Sequence, residues 1–555
     1  MKFTSFLENL YFGDLDKSRL KYGEVPEGDP VVEKMVAAFL EASREYPPAK
    51  LEEFHRVPEE LLERLRKTGF FGMIIPKEYG GVGMTLHQYL AAVERIVRAD
   101  MALGILSLAH LSIGVKGIIL FGNEQQKRKY LPRAASGEMI FCYALTEPLI
   151  GSDAKNIQTT AELSGDNGHY LLNGTKTFIT NANYSGGLTV FAQMDKNKPG
   201  TLGAFIVETA WEGVTVGKDM EKMGLVASST ASIQLKNVKV PKENLIGGPA
   251  DGFKIAMTIL NYGRLALGAA SSGMLIASYE DMKKRAASRV QFGAPLDRFE
   301  LIQEKILKAY VHKEVVSAIT NLTAGMLADD PVANAAPESS HCKLYGTNRA
   351  WETLYNAMQV AGGSGYLKSM PYEKRMRDFR VATIFEGTTE IHSIYPPLFL
   401  ARDMMKMMGS KNALARFLLI AGAYVKPVFW TLPAKSAAMK RAVKVIKKNA
   451  RRFRSLFLKA VLIHGPSFPK REFLLRRLTV ISTHVYALLA LVMRMQYLQD
   501  KGEQSDDLNA VVDYFTEEVI RECGAACRLK PDRVERKHRE LFSRLAGSAE
   551  APHNA

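Results

Sequence analysis

The 555-residue sequence contains few cysteines and none of the common short motifs for nucleotide or metal binding. Its four cysteines are scattered too widely for a disulfide-rich extracellular scaffold, which predicts a reducing compartment. There is no GxGxxG after a predicted strand, no GxxxxGK[ST], no HExxH and no CxxC. We therefore expect no metal site and no Rossmann or P-loop nucleotide binding. A hydrophobic share of 47% and a charged share of 24% exclude a disordered chain.

Long apolar runs and targeting segments are also scarce. The longest apolar stretch, residues 478–493, contains His484 and is shorter than the roughly 20 residues needed to span a membrane. We predict that it is a buried core helix. The N-terminal stretch carries Glu8 and Asp14 and has neither a cleavage site after an apolar run nor the acid-poor composition of a transit peptide. These features predict a cytoplasmic protein.

The net charge of +16 is concentrated in one segment. Residues 426–480 hold fifteen basic residues and one acid, Glu472. Within residues 439–461, apolar side chains recur at helical spacing, and the basic residues lie mostly beside or opposite them. This pattern is typical of a helix on an anionic membrane surface and indicates a peripheral location on the inner face of a bacterial membrane. The alternative is a helix whose apolar stripe packs on its own domain while its charges face solvent.

The apolar stripe consists of Met439, Val443, Ile446, Ala450, Phe453, Phe457 and Val461. Its phenylalanines are not interleaved with the cations, as base stacking would require. Nucleic acid is therefore not predicted as a partner.

The period of the apolar residues changes twice along the chain. Apolar residues recur every three or four positions, as in a helix, over residues 30–140. They recur at every second position, as in a strand, over residues 141–246, and at helical spacing again from residue 251. Within the β segment, HYLLNGTKTFIT predicts two strands joined by a tight turn at Asn173-Gly174. Later helices are predicted at 251–288, 299–327, 333–360, 433–464, 472–499, 506–527 and 532–546. Helices, then strands, then helices predict an α+β protein.

Four domains are expected from these changes. They are an N-terminal helical domain over 1–140, a β-barrel domain over 141–248, a helical bundle over 249–408 and a C-terminal helical extension over 409–555.

Polar and glycine-rich blocks occur at the expected domain junctions. In FCYALTEPLIGSD (141–153), Thr146, Gly151 and Ser152 provide small and hydroxyl groups that a diphosphate or a ring could approach, although a turn around Pro148 explains the block equally well. Phe178 is an aromatic residue that suits a flat heterocycle, although a phenylalanine in a strand is usually a core residue.

A candidate base stands in the apolar stretch VATIFEG. Glu386 is the only acid there, and apolar neighbours raise the pKa of a carboxyl group, which suits a general base.

Taken together and in order, these blocks resemble the acyl-CoA dehydrogenase family over about residues 5–405. The matching segments are ALTEPLIGSD, LNGTKTFITNA, SRVQFGAPLDRFELIQEKI, QVAGGSGYLKSMPYEKRMRDFR and IFEGTTEI. The long C-terminal extension is most similar to the very-long-chain subgroup. The resemblance implies a homodimeric flavoenzyme that oxidises fatty acyl-CoA to trans-2-enoyl-CoA in β-oxidation and passes electrons to an electron-transfer flavoprotein.

The resemblance also implies residue roles. Glu386 is the base that takes the α proton, while the β hydride goes to flavin N5. Some family members carry the base just before the matching arginine, where this chain has Gly263. The implied FAD contacts are Tyr143, Leu145, Thr146, Gly151, Ser152, Phe178, Thr180, Arg289, Phe292, Gln359, Gly363 and Thr388, with Arg289 and Phe292 from the neighbouring subunit. The implied substrate contacts are Ser152, Arg264 and Gly387.

Some positions depart from the family pattern. Glu300 replaces a common glutamine, and Pro396-Pro397 predicts a break where family members continue a helix. Ala109 matches an acidic residue that closes the pocket of medium-chain enzymes, which favours long acyl chains. Leu108 is larger than the residue at this position in the very-long-chain enzymes, which favours a shorter acyl-chain tunnel.

Two other functions remain open at this level. One is an acyl-CoA oxidase on the same scaffold. The other is a non-catalytic, membrane-associated scaffold or assembly factor with the same fold.

Overall fold

The computed structural model describes residues 3–195, 197–198, 200–409, 412–428, 430–503 and 505–546. They form two compact units. The core unit comprises residues 19–389. The terminal unit combines the residues up to Ser18 with those from Glu390 onward.

Helices make up most of the described chain. In order they are α1 (Phe6–Tyr11), α2 (Pro30–Ser43), α3 (Pro48–Glu53), α4 (Glu59–Thr68), α5 (Leu86–Ala99), α6 (Met101–Leu108), α7 (Lys116–Phe121), α8 (Glu124–Ser136), α9 (Gly252–Ser288), α10 (Glu300–Asp329), α11 (Ala336–Ala361), α12 (Pro371–Phe379), α13 (Thr389–Met408), α14 (Ala413–Val425), α15 (Ala437–His464), α16 (Glu472–Asp500), α17 (Asp506–Ala526) and α18 (Arg533–Ala546). A π-helical turn, Ala109–Gly114, joins α6 to the segment before α7.

The strands lie in the core unit. They are β1 (Ile140–Ala144), β2 (Thr160–Leu163), β3 (His169–Thr180), β4 (Ser185–Gln193), β5 (Leu202–Glu208), β6 (Val214–Val216), β7 (Thr230–Pro241), β8 (Leu245–Ile246), β9 (Val290–Gln291) and β10 (Ala294–Pro295). The main sheet has the order β6-β7-β3-β2-β4-β5-β8, with β1 parallel to β4, and β9 pairs with β10. Strands between two helical blocks confirm the predicted α+β class.

The predicted hairpin at Asn173-Gly174 is wrong. β3 runs without a turn from His169 to Thr180, and its pairing with β7 shifts register between Leu172 and Gly174. A Cβ at Gly174 would lie 2.4 Å from Oγ1 of Thr159, and Oδ1 of Asn173 accepts the N–H of Asn237. The Asn-Gly pair therefore forms an irregularity inside a long strand, where the neighbouring backbone leaves room only for glycine.

Three long helices form the centre of the helical part of the core unit. α9 packs against α5, α10 and α11, and its middle, from Asn261 to Leu275, is buried throughout. A Cβ at Gly273 would lie 2.3 Å from the carbonyl oxygen of Glu94. This glycine therefore lets the backbones of α9 and α5 approach closely.

In the terminal unit, α16 is the central helix. It packs against α15 and α17, and its segment from Val485 to Val492 is fully buried. The prediction of a core helix at 478–493 is confirmed. By length and composition the helical stretches Met101–Phe121 and Glu472–Asp500 could cross a membrane, but 89% of each apolar window is buried inside the protein.

The membrane-facing role predicted for the apolar stripe of residues 439–461 is wrong. Met439, Ile446, Phe453 and Phe457 are buried in the terminal unit, where Phe453 packs on the ring of Tyr11. The stripe therefore belongs to the core of this unit, as in the alternative reading, because burying it against α1, α16 and α17 removes it from water.

The predicted break at Pro396-Pro397 is also wrong. Both prolines lie inside α13 and are buried. Proline lacks the N–H of a helical hydrogen bond, but its fixed φ of about −65° is itself a helical value. Burial of the two rings accompanies continuation of the helix.

Candidate active site

Glu386 lies in the turn between the short helix Arg380–Thr383 and α13. Its φ is +57° and that of Gly387 is +98°, so two consecutive residues adopt left-handed backbone conformations. For a glutamate this costs about 1–3 kcal/mol, and such strain is typical of functional sites. The backbone thus holds the Glu386 side chain in a defined direction at the expense of local stability.

The Glu386 carboxylate points to the middle of α9. A Cβ at Gly263 would lie 2.9 Å from Oε2 of Glu386 and 2.8 Å from Cγ2 of Ile113 in the π-helical turn. Gly263, which the resemblance matches to the base position of some family members, therefore lies next to the Glu386 carboxylate in this chain. Because Gly263 has no side chain, the Glu386 carboxylate occupies the space that a Cβ at position 263 would need.

Two cations lie near this carboxylate. Arg264 follows Gly263 on α9 and is buried, and Lys343 is buried on α11. Nζ of Lys343 donates a hydrogen bond to the carbonyl oxygen of Gly387 at 2.5 Å. Lys343 therefore fixes the peptide between Gly387 and Thr388, one residue after the candidate base. Sequence reasoning missed this residue, because a lysine within the helical run HCKLYG gives no sign of burial.

Burial and charge act on Glu386 in opposite directions. Removal of the carboxylate from water raises its pKa, and the charges of Arg264 and Lys343 lower it, leaving a pKa of about 7. Burial together with the charge of Glu386 raises the pKa of Tyr143, whose hydroxyl donates to the carbonyl oxygen of Ala256. A carboxyl group with a pKa near neutrality is suited to accept a proton from a weakly acidic C–H group.

Two backbone segments predicted to contact a cofactor are tied together. The N–H of Thr177 donates to the carbonyl oxygen of Thr146 at 2.9 Å. Nζ of Lys176 donates to the carbonyl oxygen of Leu145 at 3.2 Å. The end of β1 and the second half of β3 therefore form one edge of the site.

A buried ion pair that sequence reasoning missed supports this edge. Nζ of Lys176 and Oε1 of Glu147 are 2.8 Å apart, and the side chain of Lys176 is fully buried. Glu147 also accepts the backbone N–H groups of Gln158 and Thr159 and the hydroxyl of Thr159. These bonds satisfy the carboxylate and anchor the segment that contains Leu145 and Thr146.

An apolar, open surface adjoins this edge. Phe178 has φ +57° and is 66% exposed, which excludes the core role considered for it. Leu149 is exposed, and a Cβ at Gly151 would meet nothing within 4 Å. An exposed ring, hydroxyl groups and an open glycine are groups that a flat heterocycle with a diphosphate could contact, so these residues fit the expected flavin.

The remaining predicted cofactor residues lie elsewhere on the core unit. Arg289 and Phe292 are exposed at and after the end of α9, and Phe292 is 96% exposed. Gln359 and Gly363 are exposed at the end of α11, whereas Thr388 is partly buried beside Gly387. Among the described residues, no contact joins Arg289, Phe292, Gln359 or Gly363 to Glu386.

Comparison with known proteins agrees with this geometry. Family models for the acyl-CoA dehydrogenase N-terminal, middle and C-terminal domains match residues 29–138, 142–238 and 250–394. The chain belongs to the acyl-CoA dehydrogenase family. It is 33% identical to the human very long-chain specific acyl-CoA dehydrogenase over 475 residues, which cover 82% of this chain and 72% of the human protein.

Two further relatives of this acyl-CoA dehydrogenase are bacterial. An acyl-CoA dehydrogenase of Bacillus subtilis is 37% identical over 374 residues, covering 67% of this chain and 97% of the relative. A crystal structure of a Bacillus anthracis acyl-CoA dehydrogenase complexed with FAD is 27% identical and superposes with a TM-score of 0.81, covering 98% of this chain and 96% of that one. The predicted family, fold class and enzyme class are confirmed, and FAD is the cofactor of the family.

Proposed function

We propose that this acyl-CoA dehydrogenase removes the α and β hydrogens of long-chain fatty acyl-CoA, with Glu386 as the base. The observation that carries the proposal is the Glu386 carboxylate. It lies near the cations Arg264 and Lys343, and its pKa is about 7. Retention of this group argues against a purely non-catalytic scaffold. The overall reaction converts acyl-CoA to trans-2-enoyl-CoA with loss of one proton and one hydride, and the hydride carries away both electrons.

Different residues of the chain have different roles in this reaction. The ionised Glu386 accepts the α proton. The electron pair of the broken Cα–H bond stays on the substrate and develops as enolate charge on the thioester. Lys343 anchors the turn just after the base by donating to the carbonyl oxygen of Gly387. The backbone N–H of Glu386 would donate to the thioester oxygen and stabilise the developing negative charge there. When bound, FAD would supply the acceptor for the β hydride. It would be held by Tyr143 of β1, by Leu145, Thr146, Gly151 and Ser152 in the segment after β1, and by Phe178 and Thr180 of β3.

In this proposal an electron-transfer flavoprotein takes the electrons from the reduced flavin.

We also propose that the enzyme is a homodimer. Several large apolar side chains of the core unit support the dimer: Phe292, Leu301, Tyr366 and Leu367 are all more than half exposed. Apolar surface of this kind is typical of an interface. Arg289 and Phe292 of one subunit would then reach the FAD of the other. A peripheral location on an anionic membrane, also proposed, now rests on the cationic side of α15.

The pH dependence of activity should report on Glu386. Because only the carboxylate form can take the α proton, kcat/KM is expected to rise with pH through about 7 and to fall about tenfold per pH unit below it. Lys343→Met removes a cation that lowers this pKa, so the acid limb should move to higher pH. Rate profiles with a dye acceptor measure both. An unchanged limb in Lys343→Met would contradict the role given to Lys343.

The substrate range tests the proposed chain length. With a series from butyryl-CoA to eicosanoyl-CoA and a dye acceptor, kcat/KM should be highest for long chains. Leu108→Ala should move the optimum to still longer chains, because Leu108 is buried beside Ala109 at the predicted end of the pocket. A butyryl-CoA optimum would refute the chain-length proposal. If the enzyme forms hydrogen peroxide as fast as it consumes acyl-CoA, with no acceptor other than oxygen, the alternative function of an acyl-CoA oxidase would be favoured.

A further inference from the structure

Helix α15 carries many cations and no acid. Its basic residues are Lys440, Arg441, Lys444, Lys447, Lys448, Arg451, Arg452, Arg454 and Lys459. Arg441 pairs with Asp513 and Glu517 of α17. Within the described residues, none of the others forms an ion pair. The helix therefore presents a concentrated positive charge that this part of the chain does not neutralise.

Arg454 differs from the other cations because it is buried. It is 5% exposed, and Nη1 is shielded from water without a hydrogen-bond partner among the described residues. Burial and the nearby charge of Arg451 lower its pKa. An arginine remains charged in proteins, so this guanidinium is a cation without a counter-charge among the described residues, and its Nη1 is cut off from water. Such a group is costly unless an anion reaches it.

A second unsatisfied donor lies by the same helix. Trp430 is 8% exposed, and its Nε1–H is buried without an acceptor among the described residues. Nζ of Lys447 lies 5.5 Å from the centre of the Trp430 ring. The ring is thus placed beside α15, with a donor group that finds no partner within the described chain.

Helical spacing puts these donors on one side of α15. Lys447, Arg451 and Arg454 are separated by four and three residues, so they follow one another on one face. Side chains of a helix lean toward its N-terminus, which directs the Arg454 guanidinium toward the turn that carries Arg451. Three cations therefore lie along one face, and the Trp430 ring lies next to the first of them, Lys447.

We propose that Arg454, Arg451, Lys447 and Trp430 form a binding site for a phosphate group. The planar guanidinium matches the oxygens of a phosphate, and the site offers only donors, so the missing partner must be an acceptor with negative charge. Three cations favour a phosphate over a single carboxylate. Exposed Lys440 and Lys444 continue the positive surface beyond the site, which admits either a free phosphate or the phosphate of an anionic lipid head group.

Thermal unfolding of the full-length, FAD-loaded protein tests the site with inorganic phosphate as the probe. Phosphate should raise the unfolding temperature of the wild type by a few degrees more than sodium chloride of equal ionic strength. Arg454→Met should unfold at a higher temperature than the wild type without phosphate, because it removes an uncompensated buried charge, and should lose the phosphate response. Lys470→Met removes an exposed cation that lies outside α15 and should keep that response.

A vesicle assay separates the two phosphate sources. Sedimentation is measured with phosphatidylglycerol and phosphatidylcholine vesicles in phosphate-free buffer. Binding to phosphatidylglycerol that Arg454→Met abolishes and Lys470→Met preserves would support the site and identify a lipid head group as its ligand. A phosphate response without vesicle binding would support it with a free phosphate as the ligand.

A conservative variant keeps the test decisive if Arg454→Met does not fold. Trp430→Phe keeps an aromatic ring at this position but removes the N–H donor together with the pyrrole part of the indole, so it should weaken the response to phosphate or to vesicles. The proposal is overturned if the wild type shows neither response. It is also overturned if the response is the same in the wild type, in Trp430→Phe and in each folded variant of Arg454. Turnover with a dye acceptor should be unchanged in all of these variants.

Discussion

Glu386→Gln is expected to lower kcat for acyl-CoA dehydrogenation by about 10²–10⁴-fold, the range that a general base contributes. The amide has the shape of the carboxylate, so it should fit between Gly263 and Lys343, but it cannot accept the α proton. Binding of acyl-CoA and of FAD should persist, because neither requires the negative charge. The loss should therefore appear in kcat and leave KM much less affected.

Anaerobic titration with palmitoyl-CoA provides the measurement. In the wild type the flavin absorbance should bleach, and in Glu386→Gln with equal FAD content it should remain. Glu352→Gln is the matched control, because Glu352 is an acid of α11 that, within the described part of the chain, forms only an ion pair with Arg349. Bleaching at the wild-type rate in Glu386→Gln would remove the proton acceptor from the proposed mechanism.

The second large effect is expected from Lys176→Met. Removing this lysine leaves the carboxylate of Glu147 buried without its charged partner, which typically costs about 3–5 kcal/mol. The hydrogen bond to the carbonyl oxygen of Leu145 is lost as well. Because Leu145 and Thr146 belong to the proposed flavin edge, the variant should also lose FAD more readily than the wild type.

Urea unfolding followed by flavin and protein signals measures both effects. Lys239→Met, at an exposed position of β7, removes the same charge and should change stability by no more than about 0.5 kcal/mol. The double variant Glu147→Gln with Lys176→Met should recover part of the loss, since it no longer buries an unpaired charge. Equal stability of Lys176→Met and Lys239→Met would show that the pair does not support this edge.

Much of the helical architecture was predictable from the sequence. The long helices α9, α10, α11, α15 and α16 lie within a few residues of the predicted segments, because their apolar residues recur with a helical period and few breakers interrupt them. Glu386 was identifiable from its apolar neighbours and from the ordered blocks around it.

The features that were not predictable depend on contacts between distant residues. Asn-Gly is a strong local turn signal, yet the backbone near Thr159 imposes a different role on Gly174. An amphipathic helix shows the same pattern whether its stripe meets lipid or a protein core, and only the packing of α15 against α16 and α17 distinguishes the two. Lys176 and Glu147 are 29 residues apart, so neither carries a local sign of burial or pairing.

The tight fit between Gly263 and Glu386 has an evolutionary consequence. A Cβ at position 263 would lie only 2.9 Å from the carboxylate oxygen, so any side chain there must displace the Glu386 carboxylate from its present place. A lineage that moves the base to position 263 is therefore expected to change residue 386 as well, and the two positions should vary in concert.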